Sequence, residues 1–282
     1  ESTRPQVAFS LLTTLLCAVT EPMESLELAI VGPGRAGGAL ALAAIAAGHR
    51  VSAVVPGPSG HVPDELGVEP SRFGTLPLVD LVVVATPDRE IRDAAAVAGA
   101  RLTGAATVIH LSGFTSIEAV DVGTGRFGSL HPLMTLSDPV RGKAALRGAP
   151  AAVTGSSRDV QHQIWRFAES LGMKPFALAD DRRRLYHTSA AVASNVTSGA
   201  LGLAFDLMGA SGVDPDVLRP LVEQSVANVF DVGAAQALTG PVARGDKSTV
   251  AGQRLEVELL DAGLAEEFGL LVEFLRRRAT SE

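Results

Sequence analysis

The sequence predicts an α/β fold in which a doubly wound parallel sheet, covered by helices, is followed by an all-helical C-terminal domain. Several short runs are continuously apolar, which is typical of parallel strands buried on both faces. A G-x-G-x-x-G motif joins the first of these runs to a helical segment rich in Ala and Leu. After Asp180 the strand-like runs disappear and helical periods take over. The length of 282 residues fits two domains at roughly 150 residues each.

The sheet domain is predicted from apolar runs that alternate with helical segments. Strands are expected at Leu26–Val31, Val51–Val55, Leu78–Ala85, Ala106–Leu111, Arg126–Leu130 and Ala149–Val153. Helices are expected at Arg35–Ala47, Asp88–Ala98 and Ser157–Leu171. Gly48 closes the first helix as a left-handed C-terminal cap, and Asp88 opens the second. This alternation indicates a sheet with helices on both sides.

The remainder of the chain shows helical periods only. They run over Asp181–Ala210, Asp214–Leu238 and Lys247–Arg278, and Gly240 and Pro241 separate the second from the third. We therefore place the domain boundary between residues 179 and 180. The sheet domain then comprises residues 23–179 and the helical domain residues 180–282.

Residues 1–22 precede Met23, after which the first predicted strand begins at once. Val7–Val19 is largely apolar and follows Arg4, a pattern shared with secretory signals. The interpretation we favour is that residues 1–22 are a non-native or disordered extension and that Met23 is the natural start.

Composition and charge exclude several classes of function. Hydrophobic residues make up 46% of the chain and charged residues 20%, which allows a sizeable core and excludes wholesale disorder. The net charge of -7 would repel a nucleic-acid duplex, so no nucleic-acid partner is expected. Cys17 is the single cysteine, which fits a reducing, cytoplasmic setting. No apolar run reaches the roughly 20 residues of a membrane span, and no spacing of His or Cys indicates a metal site.

The glycine motif lies between a predicted strand and a predicted helix. Its residues are Gly32, Pro33, Gly34, Arg35, Ala36 and Gly37. The first glycine allows a tight turn, the second lets the backbone approach a pyrophosphate, and the third permits close packing of helix on strand. The N-terminus of the helix stabilises the anion. In this context the motif predicts a Rossmann dinucleotide-binding domain.

The choice of dinucleotide depends on the end of the second strand. Domains specific for NAD usually carry Asp or Glu there, to bind the ribose hydroxyls. Here the strand continues into Pro56-Gly-Pro-Ser59 without an acid, so nothing repels a 2′-phosphate. The arginine that often follows is missing too, which leaves Arg35, Ser59 or His61 as phosphate contacts. We expect NADP, with NAD as the alternative.

Three further turns are expected at the carboxyl edge of the sheet, where doubly wound folds bind ligands. Thr86-Pro87 follows the third strand and Ser112-Gly113 follows the fourth, so both turns should approach the ribose and nicotinamide. As an alternative, Thr86 and Ser112 are helix caps. His131 follows the next short strand and is expected near the same edge, where a histidine can transfer a proton.

The first long helix of the C-terminal part carries a polar stripe. At about 100° per residue, one face of an otherwise Ala- and Val-rich helix contains His187, Ser194, Asn195 and Ser198. A solvent-exposed face would normally carry Lys, Glu or Arg, so these small hydrogen-bonding groups favour a substrate pocket. We expect His187 to donate a proton and Asn195 to orient a carbonyl oxygen or a carboxylate.

The segment between the second and third helical periods is another candidate. It contains Arg244 and Asp246 among two glycines and a proline. A guanidinium can bind a carboxylate through two hydrogen bonds, so we expect Arg244 to hold a substrate carboxylate while Asp246 holds the guanidinium. The alternative is an exposed linker that carries these charges by chance.

Together these segments resemble a family of Rossmann-like proteins whose helical C-terminal domain has no known function. The matching segments are Ile30–Gly37, Val108–Gly113, Ser129–Leu133, Tyr186-His187 with Ser194-Asn195, and Leu238–Asp246. The family is related to ketopantoate reductases, pyrroline-5-carboxylate reductases and 3-hydroxyacid dehydrogenases. The resemblance implies a C-terminal domain like that of 6-phosphogluconate dehydrogenase, a homodimer formed through the C-terminal helices, and a place in pantothenate biosynthesis.

One departure from these relatives concerns the proton donor. Familiar ketopantoate reductases and hydroxyacid dehydrogenases carry a catalytic Lys four residues before an Asn, whereas here His187 is followed by Ala191 and, at the eighth position, by Asn195. The donor therefore differs if the chemistry is the same. We predict an NADPH-dependent reductase of a small 2-keto acid of the ketopantoate type, in which His187 or His131 protonates the carbonyl oxygen. The alternatives are a reductase of an imine acid or another carbonyl substrate, and a non-catalytic NADP(H)-binding module.

Overall fold

A computed structural model describes residues 23–57, 60–100, 102 and 105–279. The expectations for residues 1–22 and for Ser59 lie outside the described residues. The chain divides into two units between Thr188 and Ser189, nine residues later than the boundary expected after residue 179. The physical reason is that the start of the first long helix belongs to the sheet unit, where the side chain of Arg183 is fully buried.

The first unit is built on one sheet of seven strands. They are β1 (Glu27–Val31), β2 (Arg50–Val55), β3 (Leu81–Val84), β4 (Thr107–His110), β5 (Phe127–Pro132), β6 (Pro150–Gly155) and β7 (Lys174–Ala177). Their order across the sheet is β2-β1-β3-β4-β5-β6-β7. Neighbouring strands are parallel except β5 and β6, so the predicted doubly wound α/β fold is confirmed with a reversed edge formed by β6 and β7.

The strand order places a crevice beside β1. The chain passes from β1 to β2 on one side and then returns to β3 on the other side. At such a switch point the connecting segments diverge, and ligands of doubly wound folds bind outside the carboxyl ends of the strands. The turns after β1, β3 and β4 all emerge at this edge.

Four helices cover the sheet: α1 (Arg35–Ala46), α2 (Ile91–Gly99), α3 (Pro139–Leu146) and α4 (Arg158–Ser170). Gly48 has φ +88° after α1, as expected of a left-handed cap. Asp88 does not cap α2, because a 3-10 turn at Asp88–Glu90 precedes that helix and no side chain caps either element. The sequence analysis missed α3 and β7, which contribute few buried residues: α3 buries Gly142 and Leu146, and β7 buries none.

The core of the first unit has two layers, one on each face of the sheet. Leu28 and Ile30 of β1 pack into the layer that contains α1 and α4, whereas Ala29 and Val31 pack into the layer that contains α2. All four side chains are nearly inaccessible to solvent. Burial on both faces explains why the strands read as continuous apolar runs rather than as alternating ones.

The second unit is helical. Its elements are α5 (Arg183–Ala191, which begins in the first unit), a π-helical turn at Val192–Val196, α6 (Thr197–Ala210), α7 (Arg219–Val232), α8 (Ala234–Ala237), α9 (Lys247–Leu260) and α10 (Ala262–Ala279). Within this unit α9 packs against α10, and α6 contacts α10. By contrast, α7 contacts chiefly its neighbours in sequence, α8 and the 3-10 turn at Pro215–Leu218.

One helical run in the described part of the chain meets the length and hydropathy criteria for a membrane span, although the sequence contains no continuous apolar run of that length. The run Asp180–Ala210 is 31 residues long, and its most apolar window has a mean hydropathy of 1.2. Length and composition alone would therefore allow it to cross a bilayer. A single helix of this kind is weak evidence for a span, and only 6% of its most apolar window is buried within the structure.

Candidate functional site

The glycine loop after β1 requires glycine at two positions. Gly32 has φ +87°, and a Cβ there would stand 2.9 Å from the carbonyl oxygen of Ala85. A Cβ on Gly37 would stand 2.2 Å from the carbonyl oxygen of Gly32, because α1 lies directly against the loop. The amide of Gly32 donates a 2.9 Å hydrogen bond to the carbonyl of Val55, which ties the loop to β2. Both glycines therefore have the packing roles that the motif predicts.

Gly34 differs from these two glycines, because a Cβ there would meet no atom of the protein within 4 Å. Gly34 is the N-cap of α1, no side chain caps this helix, and its first turn carries no acidic residue. The first amides of a helix are unpaired donors at the positive end of its dipole. An open space at that point fits a phosphate group of a nucleotide.

A groove of about 460 Å³ extends from the glycine loop along the carboxyl ends of β1 and β2. Its lining is mainly apolar and includes Val31, Val55, Phe73, Ala94, Thr86 and Glu90. The hydroxyl of Thr86 is buried and has no hydrogen-bond partner within the described part of the chain. Leaving a buried hydroxyl unpaired costs about 1–3 kcal/mol, so a ligand that supplies a polar atom here would be stabilising. Thr86 therefore has the property of a ligand contact rather than that of a helix cap.

The turn after β4 is organised by Ser112. Its hydroxyl accepts hydrogen bonds from the amides of Phe114 (3.1 Å) and Thr115 (2.9 Å), so it caps this turn, as the alternative interpretation expected. The neighbouring Gly113 is buried between two imidazole rings. A Cβ on Gly113 would stand 2.7 Å from Nε2 of His131 and 2.8 Å from Cδ2 of His187. The turn thus brings the two histidines predicted as proton donors to the same point.

His131 lies in β5 and is held by Tyr186, a residue of a matching segment to which the sequence assigned no role. Nδ1 of His131 is 2.8 Å from the phenol oxygen of Tyr186, and the two rings are nearly perpendicular. Burial, followed by the charges of His187 and Arg183, lowers the pKa of His131 to about 4. The imidazole is therefore neutral at pH 7. Burial also raises the pKa of Tyr186 to about 12, against the opposing charge of Arg183.

His187, on α5, is the half-buried partner of this pair. Its ring centroid is 6.0 Å from that of His131 and 5.9 Å from that of Phe114, both edge to face. No hydrogen bond joins its imidazole to any side chain or backbone group that the structure describes. His187 therefore keeps both ring nitrogens available for a ligand.

A fully buried arginine connects the segments that surround the site. Arg183 donates from Nε to Asp180 (3.0 Å), from Nη1 to the carbonyl of Ser112 (3.1 Å), and from Nη2 to the hydroxyls of Ser129 and Thr154. One guanidinium thus connects the turn after β4 with β5, β6 and α5. Such a buried charge is tolerated only because its donors are satisfied and a carboxylate balances it.

Asp180 provides that balancing charge. Its carboxylate also accepts hydrogen bonds from the hydroxyl of Ser116 (2.6 Å) and the amide of Ile117 (3.1 Å). Partial burial raises the pKa of Asp180, but these hydrogen bonds and the Arg183 charge outweigh it and lower the pKa overall. The residue at the expected domain boundary is therefore part of the first unit's polar framework.

The predicted stripe on the long helix does not keep a constant period. The notion that His187, Ser194, Asn195 and Ser198 share one face assumed about 100° for every residue. The π-helical turn at Val192–Val196 adds a residue to its turn and shifts everything that follows around the helix axis. His187 belongs to the first unit, whereas Ser194, Asn195 and Ser198 belong to the second.

The expected pairing of Arg244 with Asp246 is not seen as a direct ion pair, although the charge of Arg244 contributes to lowering the pKa of Asp246. Asp246 is the N-cap of α9: its carboxylate accepts from the amide and hydroxyl of Thr249 (3.0 and 2.7 Å) and from the hydroxyl of Ser248 (2.8 Å). These bonds lower the pKa of Asp246 to about 2. Arg244 is exposed and makes no ion pair with a described residue. A carboxylate one residue before a helix is taken by the orphan amides of that helix, which outcompete a flexible guanidinium.

Four site residues were missed in the sequence analysis: Asp180, Arg183, Tyr186 and Phe114. They fall in two short segments, the turn after β4 and the Asp-Asp-Arg-Arg-Arg-Leu-Tyr-His run at residues 180–187. The signal available in the sequence was the run of three consecutive arginines that shortly precedes His187. Among the described residues, no group of three His, Cys, Asp or Glu side chains is placed to hold a metal ion.

Comparisons with known proteins agree with this architecture. Residues 149–273 match the sequence profile of a domain of unknown function, DUF2520. No curated protein matches the sequence. A protein from Bacteroides fragilis, provisionally described as an NADP oxidoreductase, superimposes with a TM-score of 0.80 at 18% identity, covering 90% of this chain and 98% of its own.

Two further structures are similar over comparable lengths. A Thermotoga maritima protein has a TM-score of 0.65 at 24% identity, covering 89% of this chain and 98% of its own. The pyrroline carboxylate reductase of Plasmodium falciparum, solved with NADP bound, has a TM-score of 0.59 at 14% identity, covering 92% of this chain and all of its own (100%). At such identities the likeness shows the fold. The chain has a Rossmann-like α/β fold followed by a helical region.

Proposed function

We propose that this protein is a cytoplasmic NADP-dependent oxidoreductase that reduces a small 2-keto acid, with ketopantoate as the first substrate to test. One observation carries the proposal. The open glycine loop and the unpaired Thr86 hydroxyl lie at the same sheet edge, in the same unit, as the His131–His187 pair. Reduction of a carbonyl needs a nucleotide site and a proton donor side by side.

The residues proposed to hold the cofactor are those of the glycine loop (32–37) and of the turns Thr86-Pro87 and Ser112-Gly113. They fit a dinucleotide because the helix N-terminus is open to a phosphate and the buried hydroxyl of Thr86 has no hydrogen-bond partner among the described residues. When bound, a reduced pyridine nucleotide supplies the hydride.

NADP is proposed over NAD for two reasons. The segment after β2 begins with Pro56-Gly57 and offers no carboxylate to the ribose, while the exposed Arg35 brings a cation to the first position of α1. Two of the similar structures are also described with NADP. NAD remains the alternative, and the ratio of the two dissociation constants decides between them.

The two histidines are proposed to have different roles. His131 is neutral at pH 7, so it offers a hydrogen bond to the carbonyl oxygen but not an imidazolium proton. His187, with both nitrogens available, is the proton donor. Ser194, Asn195 and Ser198 stay proposed substrate contacts of the helical unit. Arg244 stays one candidate cation for the substrate carboxylate, and Asp246 caps α9 rather than forming a direct ion pair with it.

An imine acid is the second candidate substrate. The observation that favours it is the similarity to the Plasmodium pyrroline carboxylate reductase over nearly the whole chain. Reduction of C=N and of C=O places the same demands on the cofactor, so the fold does not separate them. A matched pair of substrates does, namely ketopantoate and pyrroline-5-carboxylate under the same conditions.

The test follows NADPH consumption with both substrates and with pyruvate, for the wild type, His187→Ala and the control His162→Ala, which changes an exposed histidine on α4. We expect kcat/KM of His187→Ala to fall roughly 10²- to 10⁴-fold, the usual contribution of a positioned acid, with an unchanged NADPH dissociation constant. Unchanged turnover in His187→Ala would remove that role. Tight NADPH binding with no turnover on any substrate would instead identify a non-catalytic module.

A homodimer through the helical unit is also proposed. Helix α7 carries polar as well as apolar residues, and five of its large apolar side chains are between 43% and 85% exposed: Leu221, Val226, Val229, Phe230 and Val232. Exposed large apolar side chains that cluster on one element are typical of an interaction surface, and a second copy of the chain is the proposed cover. Sedimentation equilibrium should give a dimer for the wild type and a monomer for Phe230→Asp. A monomeric wild type that instead floats with lipid vesicles would show that a membrane covers the helix.

A further inference from the structure

Three consecutive arginines lie where a 3-10 turn ending at Arg182 leads into α5, which begins at Arg183, and their side chains have three different environments. Arg182 is exposed and forms an ion pair with Asp181 at 3.6 Å. Arg183 points inward and its donors are used by Asp180 and three oxygen acceptors. The third is Arg184, whose guanidinium has neither a carboxylate nor an oxygen acceptor as a partner among the described residues.

The guanidinium of Arg184 contacts an aromatic ring instead of an anion. Its central carbon lies 5.4 Å from the centroid of the Phe114 ring. Within the described chain its guanidinium makes no ion pair or hydrogen bond. Stacking on a ring fixes the plane of a guanidinium while leaving its N–H donors at the edge free for a planar anion. Arg184 is therefore a positioned but unpaired cation.

Phe114 places this cation beside the proposed proton donor. The same ring that carries Arg184 meets the His187 ring edge to face at 5.9 Å. Arg184 and His187 are also three residues apart on α5, so their Cβ atoms lie on one face at roughly 5–6 Å. A cation and a proton donor thus share one aromatic platform at the turn that follows β4.

We propose that Arg184 binds the carboxylate of the substrate, in place of the predicted Arg244. The inference rests on the proposed function and narrows it, because it requires a substrate whose carboxylate is adjacent to the reacting carbon. In a 2-keto acid the carboxylate and the carbonyl oxygen are on neighbouring carbons, so one face can present a cation to the first and a proton to the second. Phe114 acts as a positioning residue for the guanidinium.

The experiment compares an acid with a neutral analogue in matched variants. Steady-state constants are measured for ketopantoate and for its ethyl ester with the wild type, Arg184→Gln, Arg184→Lys, Arg182→Gln and Arg244→Gln. Arg184→Gln should raise KM for the acid roughly 10- to 100-fold, the usual value of a charge-assisted pair of hydrogen bonds, with kcat within about threefold. KM for the ester should not change, and Arg182→Gln should match the wild type. Arg184→Lys, which keeps the charge but not the planar fork, should fall in between.

Two results would overturn the inference: an unchanged KM for the acid in Arg184→Gln, or the same loss appearing in Arg244→Gln instead. Direct calorimetric binding of oxamate, an unreactive analogue of a 2-keto acid, in the presence of NADP separates this inference from the proposed function. Binding by the wild type that is weakened in Arg184→Gln, without turnover of any substrate, would retain the anion site and reject the reductase. Absence of oxamate binding to the wild type would reject the anion site.

Discussion

The phenol oxygen of Tyr186 and Nδ1 of His131 are 2.8 Å apart, so a hydrogen bond ties this side of the imidazole to α5. Burial raises the pKa of Tyr186 to about 12, so the phenol keeps its proton, and Nδ1 is its hydrogen-bond partner among the described residues. We predict that the phenol donates to Nδ1, which would leave the proton of neutral His131 on Nε2. That nitrogen faces Gly113, at the turn where the substrate is proposed to bind.

Tyr186→Phe should remove the preference of His131 for this tautomer. Without the phenol, Nδ1 loses its donor and the ring samples both neutral tautomers, because nothing else distinguishes its nitrogens. Nitrogen-15 spectra of the imidazoles should show a protonated Nε2 in the wild type and mixed populations in Tyr186→Phe. We expect kcat to fall about tenfold, while the melting temperature changes little. A protonated Nδ1 in the wild type would contradict this assignment.

Gly34→Ala should separate cofactor binding from folding. A methyl group there meets no protein atom, so the variant should fold normally, yet it occupies the space expected for a phosphate. NADP affinity measured by calorimetry should fall by at least tenfold, about 1.4 kcal/mol. Gly37→Ala should instead lower the melting temperature, because its Cβ would stand 2.2 Å from a backbone oxygen. Gly74→Ala, whose Cβ also meets nothing, should change neither quantity.

Arg183→Met should destabilise the first unit strongly. It leaves the Asp180 carboxylate without its cation and the hydroxyls of Ser129 and Thr154 without their donor. Breaking a buried ion pair costs about 3–5 kcal/mol, measurable as a lower urea midpoint. Arg182→Met is the matched control, because that pair is exposed and worth less than about 1 kcal/mol. Equal midpoints for the two variants would show that the buried network does not stabilise the fold.

The free energy of unfolding should fall as the pH decreases, over a pH range set by the pKa values of two buried histidines. Burial, followed by the charge of Arg183, lowers the pKa of His110 from 6.5 to about 3, and that of His131 is lowered to about 4. A base with a lower pKa in the folded state binds fewer protons when folded, so acid favours unfolding. The contribution is complete above pH 6.5 and is lost progressively as the pH falls toward 4 and 3.

A variant of His110 tests whether the buried histidines cause this loss of stability in acid. His110→Asn removes the titration while its side-chain oxygen can replace Nδ1 as the acceptor for the amide of Ser112. Its free energy of unfolding should decline less between pH 6.5 and 4 than that of the wild type. Carboxylates act in a separate range: the pKa of Asp246 is lowered to about 2, so its capping is lost only below its ordinary value of 3.8. An identical pH slope in His110→Asn would assign the acid lability elsewhere.

Much of the sheet could be predicted because its signals are local. Six of the seven strands lie where apolar runs predict them, and α4 lies within the helix expected at Ser157–Leu171, with Ser157 as its N-cap accepting from the amide of Val160. The edge strand β7 was missed because it is half exposed and therefore has no apolar run. The antiparallel pairing of β6 was missed for another reason, since strand direction depends on where the connecting chain crosses the sheet.

The site was predictable where backbone geometry demands a particular residue. Gly32 and Gly37 are such positions, and His131 and His187 were placed at one edge by the order of the elements. Arg183 and Tyr186 were not predictable, because their roles depend on partners 29 to 71 residues away in the chain. Nothing in the local sequence indicates which of three adjacent arginines is buried.

The amino-acid sequence by itself determined the nucleotide loop, the parallel strands and the change to helices, because glycine conformations and hydrophobic periods act over a few residues. Only the tertiary structure decided that Arg183 is enclosed while Arg184 is left unpaired on Phe114, and that Tyr186 holds His131. Those outcomes follow from the rotation of α5 about its own axis where it packs against the sheet. A helix rotated by one residue would exchange the two arginines, and long-range packing alone sets that phase.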